Sequence, residues 1–83
     1  MESRVALIGI IVEKKESVAA LNEILHEYSQ YIIGRMGLPY AKRDISVISV
    51  AVDAPTDVIS SITGKIGMLN GVTAKSLMAK MDN

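Results

Sequence analysis

The sequence predicts an α+β fold in which a strand–helix–strand unit occurs twice. Three observations support this prediction. Apolar residues recur at every second position in runs rich in Val and Ile, and they recur at helical spacing in two other segments. The two halves of the chain, each of about forty residues, follow the same order. This is the ferredoxin-like βαββαβ sandwich, whose right-handed crossovers give an antiparallel four-stranded sheet of order 4-1-3-2 with two helices on one face.

The chain is short and apolar, which predicts self-association. It has 83 residues, of which 49% are hydrophobic, and it contains neither Phe nor Trp. In the predicted fold the helices cover only one face of the sheet, so the other face would expose half of each strand's apolar residues. We therefore expect residues 1–83 to form one domain that assembles as a homodimer or homotetramer through the sheet.

The first half predicts a strand and then a helix. Both alternating sets of side chains in residues 4–12 are apolar, so this strand is expected to be covered on both sides. After a polar break, apolar residues recur at helical spacing between Lys15 and Tyr28. The stripe consists of Val18, Leu21, Ile24, Leu25 and Tyr28.

The rest of the chain supplies three more strands. Residues 31–33 predict the second strand, and Pro39 is expected to stop its pairing because proline has no amide hydrogen to donate. Residues 45–52 alternate as a third strand, and residues 72–79 predict the fourth. The Asn70–Gly71 pair before the last strand is a strong turn signal.

A second helix is predicted between the third and fourth strands. Pro55 suits its first turn, and Gly67 is a plausible C-terminal stop. Three side chains are expected to serve the free amide groups of the first turn, namely Asp53, Thr56 and Asp57.

The residue types give little support for catalysis or for a metal site. The chain has no Cys and one His, His26, which we interpret as a surface residue near the end of a helix and not as a ligand. Residues 63–67 contain a Gly-Lys pair but lack the flanking residues of a phosphate loop. We therefore predict no catalytic residue, no metal ligand and no cofactor, and we expect a protein that is not an enzyme.

Charge and hydropathy indicate the cellular context. Nine basic residues balance nine acidic ones, whereas a domain that grips nucleic acid through phosphates usually carries a basic excess. Direct nucleic-acid binding is therefore disfavoured. No apolar run reaches the roughly 18–20 residues of a membrane span, and the N-terminus lacks the layout of a signal peptide. We expect a soluble cytoplasmic protein without membrane contact.

Residues 32–39 combine two glycines, an arginine and a proline within an apolar run. Gly34 and Gly37 match the I-G-x-x-G signature of KH domains, whose loop clamps single-stranded nucleic acid. That loop leads into a helix, whereas the residues after Pro39 predict a turn and a strand. In the other interpretation the glycines allow a backbone or a ligand to approach closely, and Arg35 points into an interface or a shallow site. We favour a ligand site at Gly34, Arg35 and Gly37, with the KH-like loop as the alternative.

Four stretches together resemble a known family. They are residues 4–12, residues 21–26, the Gly-Arg-Met-Gly-x-Pro stretch of residues 33–39, and residues 63–67 followed by Gly71. The chain resembles, over nearly its whole length, the family named iron-only hydrogenase system regulators. The resemblance implies an ACT-like, ferredoxin-like fold related in shape to the ligand-binding domain of the nickel-responsive repressor. That nickel site uses several His and a Cys, so it is not carried over to this chain.

The resemblance also implies a role. The family name rests on gene neighbourhood, so it implies regulation and no specific mechanism. ACT-like domains usually place ligands at subunit interfaces near the first strand–helix loop, here residues 12–17, which adds Glu13 to the candidate site. We expect a non-enzymatic regulatory module that senses a small-molecule effector or binds a protein partner.

Overall fold

The computed structural model describes residues 2–80 and has the predicted order of elements. The elements are β1 Arg4–Val12, α1 Val18–Glu27, β2 Ile32–Tyr40, β3 Ile45–Ala54, α2 Thr56–Gly67 and β4 Val72–Met78. The sheet order is β2-β3-β1-β4 with every neighbouring pair antiparallel, which confirms the ferredoxin-like fold and its predicted order. Both helices pack on one face of the sheet.

The two alternating sets of strand residues divide as the sequence predicts. In β1 the even-numbered residues from Ala6 to Val12 are buried beneath the helices, and the odd-numbered residues are exposed. The same division holds in β3, where Ile48, Val50 and Val52 belong to the core. Because side chains alternate between the faces of a strand, a second, uncovered face runs across the whole sheet.

We call this uncovered surface the bare face. Strand register places the odd-numbered residues of β1, β3 and β4, and the even-numbered residues of β2 from Gly34 onward, on this side. Its exposed apolar residues are Val5, Leu7, Ile11, Met36, Leu38, Tyr40, Val47 and Leu77.

β2 departs from the sequence prediction. The strand continues through Pro39, which pairs with Ser46, so the expectation that Pro39 stops strand pairing is wrong. β2 is an edge strand of the sheet, and an edge position can accept proline because one side of the strand needs no ladder donor. The hairpin to β3 turns at residues 41–44, where Asp44 adopts a left-handed φ of 55°.

A β-bulge sets which side each residue of β2 faces. Ile32 pairs with Val52, but Gly34 pairs with Ala51, so β2 holds one extra residue between these pairs. The extra residue inverts the alternation that would otherwise continue from Ile32. Arg35 consequently lies on the helix side of β2, and Met36 lies on the bare face.

The helix ends agree with the sequence apart from the first turn. Residues Lys15–Ser17 form a 3-10 turn, and α1 begins at Val18 and not at Lys15 as predicted. Pro55 precedes α2, and Gly67 is its last residue, as expected. Of the three predicted capping side chains, Asp57 accepts a hydrogen bond from the amide of Val58 at 3.0 Å. Asp53 lies within β3 instead.

Two hydrogen bonds fasten the first strand–helix connection to the turn before β4. The amide of Glu13 donates to the carbonyl of Gly71 at 2.7 Å. The hydroxyl of Ser17, which is buried, donates to the carbonyl of Asn70 at 2.5 Å. Gly71 has φ +71°, a conformation that glycine adopts readily, so the predicted turn is confirmed.

Candidate functional site

Arg35 and the two glycines lie in the middle of edge strand β2. A Cβ atom built on Gly34 meets nothing within 4 Å, so this position is open on the bare face. A Cβ on Gly37 would lie 3.9 Å from the side chain of Ile48, which is ordinary contact. Neither glycine is therefore required by close packing within the chain, and the strand is open to a ligand or to another backbone.

Arg35 borders a groove between α1 and β2, which we call the α1–β2 groove. Its guanidinium donates to the side-chain oxygen of Asn22 at 3.3 Å. The groove has a volume of about 380 Å³, within the range of small-molecule sites. Its lining is Asn22, Leu25, His26, Ser29, Ile32 and Arg35.

The helix stripe that lines this groove was missed by sequence reasoning. Asn22 and His26 are spaced i and i+4 on one face of α1, and Ser29 follows three residues later at the start of the 3-10 turn Ser29–Tyr31. His26, interpreted from the sequence as a surface residue, is indeed exposed near the end of α1. The regular spacing of three polar residues beside the apolar stripe was a signal that could have found this lining.

Glu13 lies apart from the other predicted site residues. Arg35 pairs with Val50, which pairs with Ile8, so Glu13 is five residues further along β1 than the level of Arg35. At about 3.3 Å per residue this is roughly 16 Å along the strand direction, with two strand spacings across the sheet in addition. The structure therefore brings Gly34, Arg35 and Gly37 into one strand and places exposed Glu13 elsewhere.

A separate cavity lies near the first strand–helix connection. It has a volume of about 200 Å³ and is bordered by Lys15 and Val18 on one side and by Tyr40 and Asp44 of the hairpin on the other. The ammonium of Lys15 and the carboxylate of Asp44 are 3.3 Å apart across it. Both side chains are largely exposed, so this ion pair contributes little to stability. Glu13 does not line this cavity.

The local geometry bears on the KH-like alternative. A KH clamp needs a loop at the glycines and a helix directly after them. Here Gly34 and Gly37 are both inside β2, and a hairpin turn and β3 follow. The loop-to-helix arrangement that would hold a nucleic-acid backbone is not formed in residues 34–54.

The bare face carries a shallow depression beside a protruding side chain. Small residues form its floor, namely Gly34, Ser49 and Ala51. Leu7 and Met36 border it, and Met36 is 64% exposed. A projection next to a hollow is the arrangement that lets two copies of one surface fit together about a two-fold axis.

Within residues 2–80 no group of three His, Cys, Asp or Glu side chains is placed to hold a metal ion. None of the helices described over the same residues is long and apolar enough to cross a bilayer.

The strand order, the two helices on one face and the uncovered second face define a small ferredoxin-like domain. Comparison with known proteins gives the family. Residues 4–76 match the family model "TM1266-like: Iron-only hydrogenase system regulator, putative", and the chain belongs to this family. The resemblance inferred from the sequence motifs is therefore confirmed.

Solved structures agree with this assignment. The structure of the uncharacterized protein TM1266 from Thermotoga maritima superposes with a TM-score of 0.91 at 29% identity, over 95% of this chain and 100% of that one. A formyltetrahydrofolate deformylase from Pseudomonas putida KT2440 matches with a TM-score of 0.64 at 10% identity. This second match covers 92% of the present chain and 29% of the deformylase, and it shows the fold alone. No protein with a curated description matches the chain.

Proposed function

We propose that this chain is a non-enzymatic regulatory module that assembles through its bare face and responds to a small molecule or a protein partner. The family description names the system, an iron-only hydrogenase system and its regulation. The chain has no Cys and a single His, which leaves few of the nucleophile–base pairs used in covalent catalysis. Its net charge of zero favours action through a protein partner over direct contact with nucleic acid.

The observation that carries the assembly proposal is the apolar content and size of the bare face. Four strands spaced about 4.8 Å apart and about nine residues long span roughly 19 by 30 Å. With the relief of its side chains, such a face approaches the roughly 800 Å² per partner that a standard interface buries. Leu7, Met36, Leu38 and Leu77 are all exposed on it, and an apolar patch of this extent is unusual on a monomer.

The projecting Met36 side chain and the depression beside it favour a second copy of this chain as the partner that covers the bare face. In a two-fold arrangement Met36 of each copy would enter the depression over Ser49 and Ala51 of the other. Methionine suits such a contact because its unbranched side chain adapts to irregular space. A dimer uses this face once, and a tetramer would add a second surface such as the β2 edge.

Sedimentation velocity of two variants tests the assembly. Met36→Lys places a charge in the centre of the proposed interface and should convert the dimer to monomer at micromolar concentration. Met68→Lys is the matched control, because Met68 is 88% exposed and lies at the end of α2, away from the bare face. Wild-type protein that sediments as a monomer, or equal dimerisation by Met36→Lys and wild type, would overturn the proposal.

A further inference from the structure

We propose that the α1–β2 groove binds a small organic carboxylate, whose charged group pairs with Arg35 and whose apolar part rests on Leu25 and Ile32. This inference rests on the proposed function in one respect, the response to a small molecule. It does not depend on assembly through the bare face.

The first reason is the charge of Arg35. Within residues 2–80 no carboxylate lies within ion-pair distance of its guanidinium, since the ion pairs found there join Lys15 to Asp44 and Lys65 to Glu27. Its side-chain hydrogen bond goes to the neutral amide of Asn22. A guanidinium has five N–H donors, so most of them are free to meet an anion.

The acidic residues of α1 are turned away from the groove. Glu23 and Glu27 lie about 100° and 140° around the helix from Asn22, at 100° per residue. The carboxylate of Glu27 is 3.6 Å from the ammonium of Lys65 on α2, which shows the direction it takes. The groove is therefore lined by donor groups and a positive charge, without a lining carboxylate to repel an anion.

The second reason is the combination of a polar rim and an apolar floor. Leu25 is buried and Ile32 is half-buried, so the floor offers apolar contact. Asn22, His26 and Ser29 add polar side chains along the rim. Sites for small organic molecules typically join an apolar lining to a few placed polar groups.

The floor also distinguishes a carboxylate from a phosphate. The planar guanidinium fork fits either group through two parallel hydrogen bonds. Inorganic phosphate carries more charge than one arginine neutralises, and it has no apolar part to cover Leu25 and Ile32. A singly charged acid with a short branched chain uses both features. Because the groove is open, we expect a dissociation constant on the order of 1 mM.

An amide-resolved NMR titration of the full chain tests the proposal. The probes are 4-methylpentanoate, its uncharged analogue 4-methylpentanamide, and inorganic phosphate, at constant pH and ionic strength. The carboxylate should shift the amide signals of Asn22, Leu25 and Arg35, and the other two probes should bind at least about fivefold more weakly because each lacks one of the two features.

Variants of two arginines provide the matched comparison. Arg35→Gln should weaken binding of 4-methylpentanoate about tenfold or more, because it removes a charged hydrogen-bond partner. Arg35→Lys keeps the charge but not the fork and should fall between wild type and Arg35→Gln. Arg43→Gln removes the same charge in the exposed β2–β3 turn and should bind like wild type.

The outcomes separate this inference from the assembly proposal. The inference is overturned if wild type does not bind 4-methylpentanoate, if phosphate or the amide binds equally well, or if Arg35→Gln and Arg43→Gln bind alike. It is also overturned if the shifts cluster at residues 12–17. Sedimentation of the same samples reports assembly independently, so loss of one property with the other intact identifies which proposal has failed.

Discussion

Replacement of Gly71 by Ala should destabilise the fold strongly, because two separate effects act at this position. Gly71 has φ +71°, where a residue with a Cβ pays about 1–2 kcal/mol. The new Cβ would also overlap the Cγ of Lys14 and lie 2.8 Å from its Cβ and 3.2 Å from its amide nitrogen. Displacing this segment strains the adjacent hydrogen bond between the amide of Glu13 and the carbonyl of Gly71.

The expected loss can be worked out from these terms. Overpacking of this kind costs about 1–3 kcal/mol. Alanine also has less conformational freedom than glycine in the unfolded chain, and this effect stabilises the folded state by about 0.4–1 kcal/mol. The free energy of unfolding should therefore fall by about 1–4.5 kcal/mol, with a central value near 3 kcal/mol. For a domain of this size the central value corresponds to a decrease in melting temperature of roughly 12–24 °C.

Urea denaturation at one fixed protein concentration measures the loss, and Gly64→Ala is the matched control. Gly64 lies inside α2 and its built Cβ meets nothing within 4 Å, so alanine there should stabilise by about 0.5–1 kcal/mol. Gly71→Asn separates the two effects, because Asn tolerates positive φ but keeps the clash with Lys14. If Gly71→Ala unfolds at the wild-type midpoint, the proposed packing of Lys14 on this turn is wrong.

Two further predictions concern named contacts. Ser17→Ala should lower the free energy of unfolding by about 1 kcal/mol because it removes the hydrogen bond to the carbonyl of Asn70. Ser60 is exposed, so Ser60→Ala is the control and should leave the free energy of unfolding unchanged. Equal urea midpoints for the two variants would refute this prediction. The ammonium of Lys65 lies 5.0 Å from the centre of the Tyr28 ring, and this interaction raises the pKa of Lys65 above its usual value of 10.5, with the Glu27 carboxylate acting in the same direction. The stabilisation by the charged Lys65 side chain is fully present below pH 10.5 and is lost as the pH rises through the raised pKa of the folded state. The difference in free energy of unfolding between wild type and Lys65→Gln should therefore shrink at strongly alkaline pH. A pH-independent difference would show that the charge of Lys65 does not matter.

The fold could be predicted because its signals are local and repeated. The alternation in β1 places Ile8 and Ile10 in the core whichever strand lies next to it, and the stripe of α2 identifies Ile59 and Ile62 in the same way. The Asn70–Gly71 turn was also found, since left-handed backbone favours these residue types.

The sequence-based predictions failed at positions whose structure depends on how the strands pair and not on the residue type. Pro39 is a strand terminator only if its missing amide hydrogen was needed, and at the edge of the sheet it was not. The side of β2 on which Arg35 lies could not be derived either, because a bulge leaves no clear mark in the sequence. The α1–β2 groove combines residues from two elements whose contact depends on that bulge.

Because of the bulge, the number of residues before Gly34 decides which side of the sheet each later residue of β2 faces. Deletion of Ile33 would restore simple alternation after Ile32, and every side chain from Gly34 to Tyr40 would change sides. Arg35 would leave the groove for the bare face, and Met36 would take its place. In most surface connections a gain or loss of one residue is tolerated, but here it would exchange the charged and apolar surfaces of β2. Among relatives of this chain, the number of residues between α1 and the arginine should therefore vary less than the identity of the residues that fill it.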